Sequence, residues 1–178
     1  MTKTARDLGS LQQEALAAIG GALVIVQMAE KMTKFCMQYV LQKGGVVLTY
    51  ENLKSQQAEE AKKTLGFFLS QLRLRAEIDS TFDDQLKEFL TQRNQLAHDL
   101  TGVPGLGFHD REKLEVAMEW AGKLSSLALH VHNVFMGLAR AWQHEIGMRD
   151  DFAENEFFQE IDATFQPLVN QIFTKKQP

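Results

Sequence analysis

Apolar residues recur every three or four positions between Asp110 and Gly147, and this long stripe restricts the fold more than any other feature of the chain. That spacing places the apolar side chains on one face of an α-helix. Asp110 is a good N-cap residue and Gly147 ends the pattern, so the sequence predicts one long helix between them. The stripe consists of Leu114, Ala117, Ala121, Leu124, Ala128, Val131, Phe135, Leu138 and Trp142.

Similar stripes predict four further helices. Either Ser80 or Thr81 is expected to cap the third helix of the chain, because both side chains can accept a backbone hydrogen bond. Gly20-Gly21 inside the first helix predicts a bend or the close approach of another element, since each glycine costs about 1 kcal/mol relative to alanine. Pro167 predicts a kink or a break in the last helix. The expected ranges of these helices are 4–41, 52–76, 80–101 and 154–173.

Strand signals are almost absent from the sequence. The one β-like run, Val46–Tyr50, is short and stands alone, so we interpret it as a connector. The composition does not change along the chain, and no low-complexity linker or repeat interrupts it. The sequence therefore predicts a single all-α domain over residues 1–178, a bundle of four to five helices whose last few residues are disordered.

The charge of the chain limits the kinds of partner it can bind. The formal net charge is -4, so a broadly basic surface for nucleic acid is excluded and any such binding must be local. The most basic stretch lies on the second predicted helix, where Arg73 and Arg75 follow Lys62 and Lys63. We interpret it either as a solvated face or as a local patch that attracts phosphate, in which case Arg73 and Arg75 are RNA-binding candidates.

The cysteine content and the uncharged run near the N-terminus indicate the cellular compartment of the protein. Cys36 is the only cysteine, so no intrachain disulfide and no cysteine-based metal cluster can form, and its place on an apolar stripe predicts a buried thiol. Ala15–Val26 carries no charge, but it is shorter than a bilayer requires. Acidic residues precede it and no cleavage site follows it, which argues against a signal peptide. We therefore expect a cytoplasmic protein with no membrane association.

Arg93 interrupts the apolar face of the third predicted helix. On a helical wheel it falls at the centre of an apolar arc, where a leucine would be expected. A charged guanidinium there is costly unless it is paired and hydrogen-bonded. It could be a buried arginine satisfied within the core, a residue at a subunit interface, or a ligand for an anion such as phosphate. The arc consists of Phe82, Leu86, Phe89, Leu90, Leu96, Ala97 and Leu100.

Two more polar residues lie close to Arg93 in the sequence. Asn94 follows it directly, and His98 lies near the end of the helix, just before a glycine-rich loop. A histidine in that position often only caps backbone carbonyls. Arginine, asparagine and histidine within six residues nevertheless make a candidate site for phosphate chemistry.

The run Arg93-Asn94-Gln95-Leu96-Ala97-His98 resembles the R-x-x-x-x-H signature of the HEPN superfamily (higher eukaryotes and prokaryotes nucleotide-binding). The segment TLGFFLSQLRLR, then a spacer, then the helix with RNQLAH, is also similar to the order in several HEPN families. The resemblance implies a small all-α bundle and a homodimer with the third helix at its interface. It also implies a metal-independent endoribonuclease of toxin–antitoxin, abortive-infection or CRISPR systems.

The same resemblance implies a role for each residue of the motif. His98 would act as general base or acid on the ribose 2′-OH or the leaving oxygen, and Arg93 would stabilise charge on the scissile phosphate. Asn94 would orient the phosphate or the histidine. RNA would be the substrate, and a cognate antitoxin or regulatory protein would be a further partner. No metal and no cofactor would be needed, since fixed donors can stabilise the developing charge.

The helical wheel adds a condition to this hypothesis. Arg93 and His98 lie about 140° apart on an ideal helix. They can meet at one point in a single chain only if the arginine side chain reaches round or the helix ends early. Otherwise two copies of the motif must complete each other across a two-fold axis. A non-catalytic HEPN-fold homodimer, acting as a regulator or protein-interaction module, is the alternative.

The remaining histidines are weaker candidates. His130 and His132 are two positions apart on a helix, so their side chains point to nearly opposite sides and cannot bind one metal ion. His109 and His144 are expected to be solvated. Trp120 lies off the stripe of the long helix and is a candidate interface residue.

Overall fold

The computed structural model of the protein describes residues 7–41, 63–105, 107, 109–151 and 153–175. Five α-helices make up most of that part of the chain, so the prediction of an all-α protein is confirmed. A π-helix extends the first α-helix, a 3-10 helix follows the third, and two short strands complete the described elements. They are α1 (Leu8–Phe35), the π-helix (Cys36–Val40), α2 (Leu65–Arg75), β1 (Ala76–Ile78), α3 (Ser80–His98), the 3-10 helix (Leu100–Gly102), α4 (Arg111–Glu145), α5 (Glu156–Ile172) and β2 (Phe173–Lys175).

Aspartates cap α3, which carries the candidate site residues, and α4, which carries the longest apolar stripe. The carboxylate of Asp79 accepts the backbone N–H groups of Thr81 at 2.9 Å and Phe82 at 3.1 Å. The prediction that Ser80 or Thr81 caps α3 is therefore wrong, because the preceding aspartate already satisfies the first turn. Asp110 caps α4 as predicted, accepting two first-turn N–H groups at 3.0 Å and 3.3 Å.

The second predicted helix is shorter than expected. Lys63 and Thr64 are not helical, and α2 begins at Leu65, where the Thr64 hydroxyl accepts the N–H of Phe67. A continuous helix over 52–76 is therefore wrong, because a capped N-terminus interrupts it. Residues 52–62 of that prediction and the connector Val46–Tyr50 lie outside the described residues. So do residues 176–178, which belong to the last few residues expected to be disordered.

A two-stranded antiparallel ribbon was not expected from the sequence. It joins the residues that follow α2 to those that follow α5, and Asp79 extends it by donating its N–H to Ile172 O at 2.9 Å. Each strand has only three residues, which is too short to show an alternating pattern. The paired residues are Ala76 with Lys175, Glu77 with Thr174, and Ile78 with Phe173.

The chain divides into two compact units. The first comprises Met1–Met28 and Lys87–Leu129, and the second comprises Ala29–Leu86 and His130–Pro178. The boundaries fall inside α1, α3 and α4. The motif Arg93–His98 belongs to the first unit, whereas Arg73 and Arg75 belong to the second.

The first unit has its own apolar core between the beginnings of α1 and α4. Leu11 and Ala15 of α1 are buried together with Leu114 of α4, and the partly buried Leu8 and Met118 pack against them. Leu114 lies on the stripe that predicted α4, and Leu8, Leu11 and Ala15 recur at the spacing of three to four that predicted α1, whereas Met118 lies beside the stripe. The periodicity of the sequence therefore identified the core of this unit correctly.

The core of the second unit contains aromatic rings and the single thiol. The rings of Phe82 and Phe135 both lie close to that of Phe173 in β2, with centroids 5.7 Å and 5.8 Å away. Cys36 is buried and its thiol donates to the carbonyl oxygen of Phe135 at 3.1 Å. Burial raises the pKa of this thiol well above its ordinary value. The prediction of a buried thiol is therefore confirmed.

Two expectations about helix interiors are wrong in part. A Cβ at Gly20 or Gly21 would have no atom of the described chain within 4 Å apart from the backbone of α1 itself, so these glycines do not make room for a neighbouring described element there. Both lie on an exposed side of α1. Helix α5 continues through Pro167 and is not broken by it.

The first helix is longer and more apolar than the uncharged run alone suggested. The helical stretch Leu8–Val40 contains an 18-residue window apolar enough to cross a membrane by length and composition, and 22% of that window is buried. Several large apolar side chains on it are exposed, including Leu16, Val24 and Met28. Core helices of soluble proteins and signal sequences can have the same length and composition.

Candidate functional site

The C-terminal end of α3 is held by a tight network of local hydrogen bonds. Asp99 caps the 3-10 helix, since its carboxylate accepts from the Thr101 hydroxyl at 2.8 Å and from the Gly102 N–H at 3.0 Å. The side-chain amide of Gln95 reaches forward and donates to the carbonyl oxygen of Gly102. A Cβ at position 102 would collide with the Asp99 carboxylate, which explains the glycine. His98, the last residue of α3, is thereby held at a defined helix end.

The structure brings Arg93, Asn94 and His98 together. The Nη1 group of Arg93 donates to Oδ1 of Asn94 at 3.0 Å and lies 3.2 Å from Nε2 of His98. All three residues lie in the first unit, so this geometry belongs to one chain. The three residues that the sequence singled out therefore form one cluster.

The arginine side chain solves the geometric problem that the helical wheel raised. Of the alternatives stated for Arg93 and His98, the structure has the one in which the guanidinium reaches round the helix. A wheel shows the directions of the Cβ atoms, but an arginine has four further bonds before its terminal nitrogens. A partner subunit is therefore not required to bring the two side chains within hydrogen-bonding distance.

The side chains of the cluster are wholly or partly exposed. Arg93 is partly buried, whereas Asn94 and His98 are exposed. Arg93 is thus not an arginine enclosed in the core. Two members of the predicted apolar arc beside His98 are also exposed, namely Ala97 and Leu100, and the Leu100 side chain is half accessible. The last part of the predicted apolar arc is therefore exposed at the same end of α3 as His98.

The two RNA-binding candidates of α2 have intramolecular partners. Nε of Arg73 forms an ion pair with Asp83 at 2.7 Å. Nη1 of Arg75 donates to the carbonyl oxygens of Met37 at 2.9 Å and Leu41 at 2.7 Å, at the end of the π-helix. Arg75 thus caps carbonyls that the helix leaves without partners. Both arginines stabilise the second unit, and RNA binding by them stays a prediction.

A second polar cluster in the second unit was missed by the sequence analysis. Arg140 of α4 is buried, and its guanidinium binds Asp150 at 2.6 Å and 2.7 Å and Asp162 of α5 at 2.5 Å and 2.9 Å. The hydrogen bonds that Arg140 donates to Asp162, and then those to Asp150, raise the pKa of its guanidinium. We define these three residues as the Arg140 clamp. They are 10 and 22 positions apart in the sequence, so no local pattern could reveal them.

The two aspartates of the Arg140 clamp and the neighbouring His144 could together ligate a metal ion, but the charge of Arg140 opposes one there. Donor atoms of His144, Asp150 and Asp162 lie within 4.8 Å of one another. Arg140, however, donates to all four carboxylate oxygens of the two aspartates, and its positive charge opposes a cation there. His144 is not simply solvated, since its Nε2 lies 3.6 Å from Asp150. The cluster is best described as an ionic contact that joins α4 to α5.

The other two histidines of α4 have separate surroundings. His130 is half-buried between the rings of Phe82 and Phe165, and burial lowers its pKa. His132 is buried, and its Nδ1 lies 3.0 Å from Oδ1 of Asn133. Within the described chain, neither histidine belongs to a group of potential metal ligands.

Comparison of the chain with protein-family models, with curated proteins and with solved structures finds no match.

Proposed function

We propose that the protein is a HEPN-like, metal-independent endoribonuclease whose catalytic residues are Arg93, Asn94 and His98, and that it serves as a toxin or antiphage effector. The observation that carries this proposal is the 3.2 Å contact between the Arg93 guanidinium and the His98 imidazole at an exposed helix end. A cationic donor beside a titratable base is the arrangement that phosphodiester cleavage through a ribose hydroxyl needs. The proposal rests on this geometry together with the resemblance of the motif.

The cleavage step follows from the chemistry of these side chains. His98, as general base, takes the proton of the ribose 2′-OH, and the 2′-oxygen forms a bond to the adjacent phosphorus. The bond from phosphorus to the 5′-oxygen of the next nucleotide breaks, and that oxygen receives a proton from a general acid. Arg93 offsets the negative charge that develops on the phosphoryl oxygens. The products are a 2′,3′-cyclic phosphate and a 5′-hydroxyl.

A homodimer would supply the second proton-transfer group. One histidine cannot act as base and acid in the same step, and His98 of a second copy could protonate the leaving oxygen. Ala97 and Leu100 are exposed at the same helix end as His98 and favour a contact between two copies of this helix end. We propose that the protein works as a cytoplasmic homodimer, controlled by a cognate antitoxin or regulatory partner.

A non-catalytic HEPN-fold homodimer is the second candidate. The net charge of -4 favours it, as does the engagement of Arg73 and Arg75 within the fold. Such a protein would lack a broad cationic surface for RNA and would act through protein contacts. The two candidates share the fold and the dimer and differ only in whether His98 moves a proton.

The test uses the purified protein with mixed cellular RNA in the presence of a chelator, between about pH 5 and pH 8, where histidine side chains usually titrate. We expect cleavage by the natural protein and its loss in His98→Ala and Arg93→Ala. His109→Ala is the matched control, because it removes an exposed histidine from the same unit and should retain activity. Absence of cleavage by the natural protein over the whole range would favour the non-catalytic alternative.

A further inference from the structure

The contact between Arg93 and His98 fixes the position of the imidazole proton. An arginine side chain carries only N–H donors and remains charged at every ordinary pH. Nε2 of His98, 3.2 Å from Nη1 of Arg93, must therefore be the acceptor and carry no proton. A neutral imidazole has one N–H group, so in this contact the proton is on Nδ1.

The same contact occupies the nitrogen that faces the guanidinium. An imidazole accepts a proton through the lone pair of its unprotonated nitrogen. In His98 that lone pair already accepts a hydrogen bond from Arg93. His98, the base that the proposed reaction needs, is thus hydrogen-bonded to the Arg93 guanidinium, which would bind the phosphate.

Nη1 of Arg93 has two acceptors within the cluster. They are Oδ1 of Asn94 at 3.0 Å and Nε2 of His98 at 3.2 Å. A phosphate that binds the edge of the guanidinium containing Nη1 must replace one of these acceptors. The contact with the imidazole is the longer of the two, and a charged oxygen is a stronger acceptor for a guanidinium than a neutral ring nitrogen.

We propose that Arg93 blocks Nε2 of His98 in the free protein, and that a phosphate group entering the cluster takes the Arg93 hydrogen bond and releases the imidazole nitrogen. The role of the released nitrogen as a base rests on the proposed function, but the exchange of hydrogen-bond partners does not. The cluster then selects ligands by charge, because a neutral ligand has no comparable advantage over the imidazole. A substrate would activate its own base through the phosphate that is to be cleaved.

The exchange can be followed by ¹⁵N NMR of the histidine ring nitrogens in the full-length protein at about pH 8, above the range in which histidines usually titrate. In the free protein we expect the His98 signals of an imidazole protonated on Nδ1 and unprotonated on Nε2. Inorganic phosphate, and separately a deoxyribose dinucleotide, should shift the Nε2 signal toward that of a ring in tautomeric exchange. A neutral nucleoside should leave it unchanged.

Two variants separate the exchange from an indirect effect. Arg93→Met keeps much of the side-chain length but removes every N–H donor, so the tautomer preference should be lost before any ligand is added. Arg111→Ala, an exposed arginine in the same unit, should leave the His98 signals unchanged. The assignments come from comparison with His98→Gln, which removes only the signals of that ring.

The outcomes distinguish this inference from the proposed function. A proton on Nε2 in the free protein would overturn it, as would phosphate binding that leaves the His98 signals in place. A phosphate-induced shift without RNA cleavage would support the exchange and contradict the nuclease. Cleavage of RNA by a protein whose Nε2 is unblocked from the start would support the nuclease and contradict the exchange.

Discussion

Replacing Arg140 by methionine should destabilise the protein strongly. Methionine keeps much of the length and apolar character of the side chain but removes the charge and the donors. The Arg140 side chain is 4% exposed, while those of Asp150 and Asp162 are 17% and 24% exposed. The change therefore leaves two largely buried carboxylates without the cation that compensates them.

The size of the effect follows from this burial. Removing one partner of a buried ionic network typically costs about 3–5 kcal/mol, mostly because the remaining charges stay desolvated. The guanidinium also lies over the ring of Phe158, 5.3 Å from its centroid, which adds about 0.5–1 kcal/mol. We expect a loss of about 4 kcal/mol in the free energy of unfolding. This is a large part of the 5–15 kcal/mol that is usual for a domain.

Urea unfolding followed by circular dichroism measures this loss. The triple variant Arg140→Met, Asp150→Leu, Asp162→Leu should recover most of it, since replacing a whole buried ionic cluster by apolar residues is often neutral. Arg149→Met is the matched control. Arg149 pairs with Asp151 at 2.8 Å but is 91% exposed, so its replacement should cost under about 1 kcal/mol. A cost for Arg140→Met no larger than that of the control would refute the reasoning.

Three further predictions concern α1, the thiol and His130. Gly20→Ala and Gly21→Ala should each raise the free energy of unfolding by about 1 kcal/mol in urea titrations, because no atom of the described chain outside the backbone of α1 lies near either Cβ position. A loss of stability in either variant would contradict this. Cys36 should react with a thiol reagent only after denaturant is added, since burial raises its pKa, and rapid labelling of the native protein would contradict this. Burial lowers the pKa of His130 below 6.5, so the unfolded chain takes up its proton first and stability should fall as the pH drops below about 6.5. His130→Phe should reduce this loss in thermal unfolding measured from pH 7 to pH 5, and an unchanged pH profile would show that other groups cause it.

The helices could be predicted because burial in this fold follows the helical period. The stripe through Leu114, Ala117 and Leu124 is buried along one face of α4, and its spacing alone indicated the helix. The ribbon could not be predicted, because Ala76–Ile78 and Phe173–Lys175 simply continue the helices before them in the chain. Their pairing is a tertiary contact between segments almost 100 positions apart, for which the sequence has no local signal.

The candidate site was predictable because it is local. Arg93, Asn94 and His98 lie within six residues of one helix end, so their proximity depends on helical geometry alone. The wheel alone left open whether Arg93 and His98 meet within one chain, because it gives only the Cβ directions, and the arginine side chain spans the difference between them. The Arg140 clamp was missed for the opposite reason. Arg140 lies off the predicted stripe, where α4 becomes buried on several sides, and only the folded chain brings both aspartates to it.

Cleavage of a defined RNA oligonucleotide in the presence of a chelator tests the proposed role of Arg93 and His98 most directly. The substrate is compared with the same sequence made of deoxyribose, which lacks the attacking hydroxyl. We predict that only the RNA is cut, leaving a 2′,3′-cyclic phosphate, and that His98→Ala is slower by about 100-fold or more, the usual contribution of a general base. Cleavage of both oligonucleotides, or an unchanged rate in His98→Ala, would contradict the account.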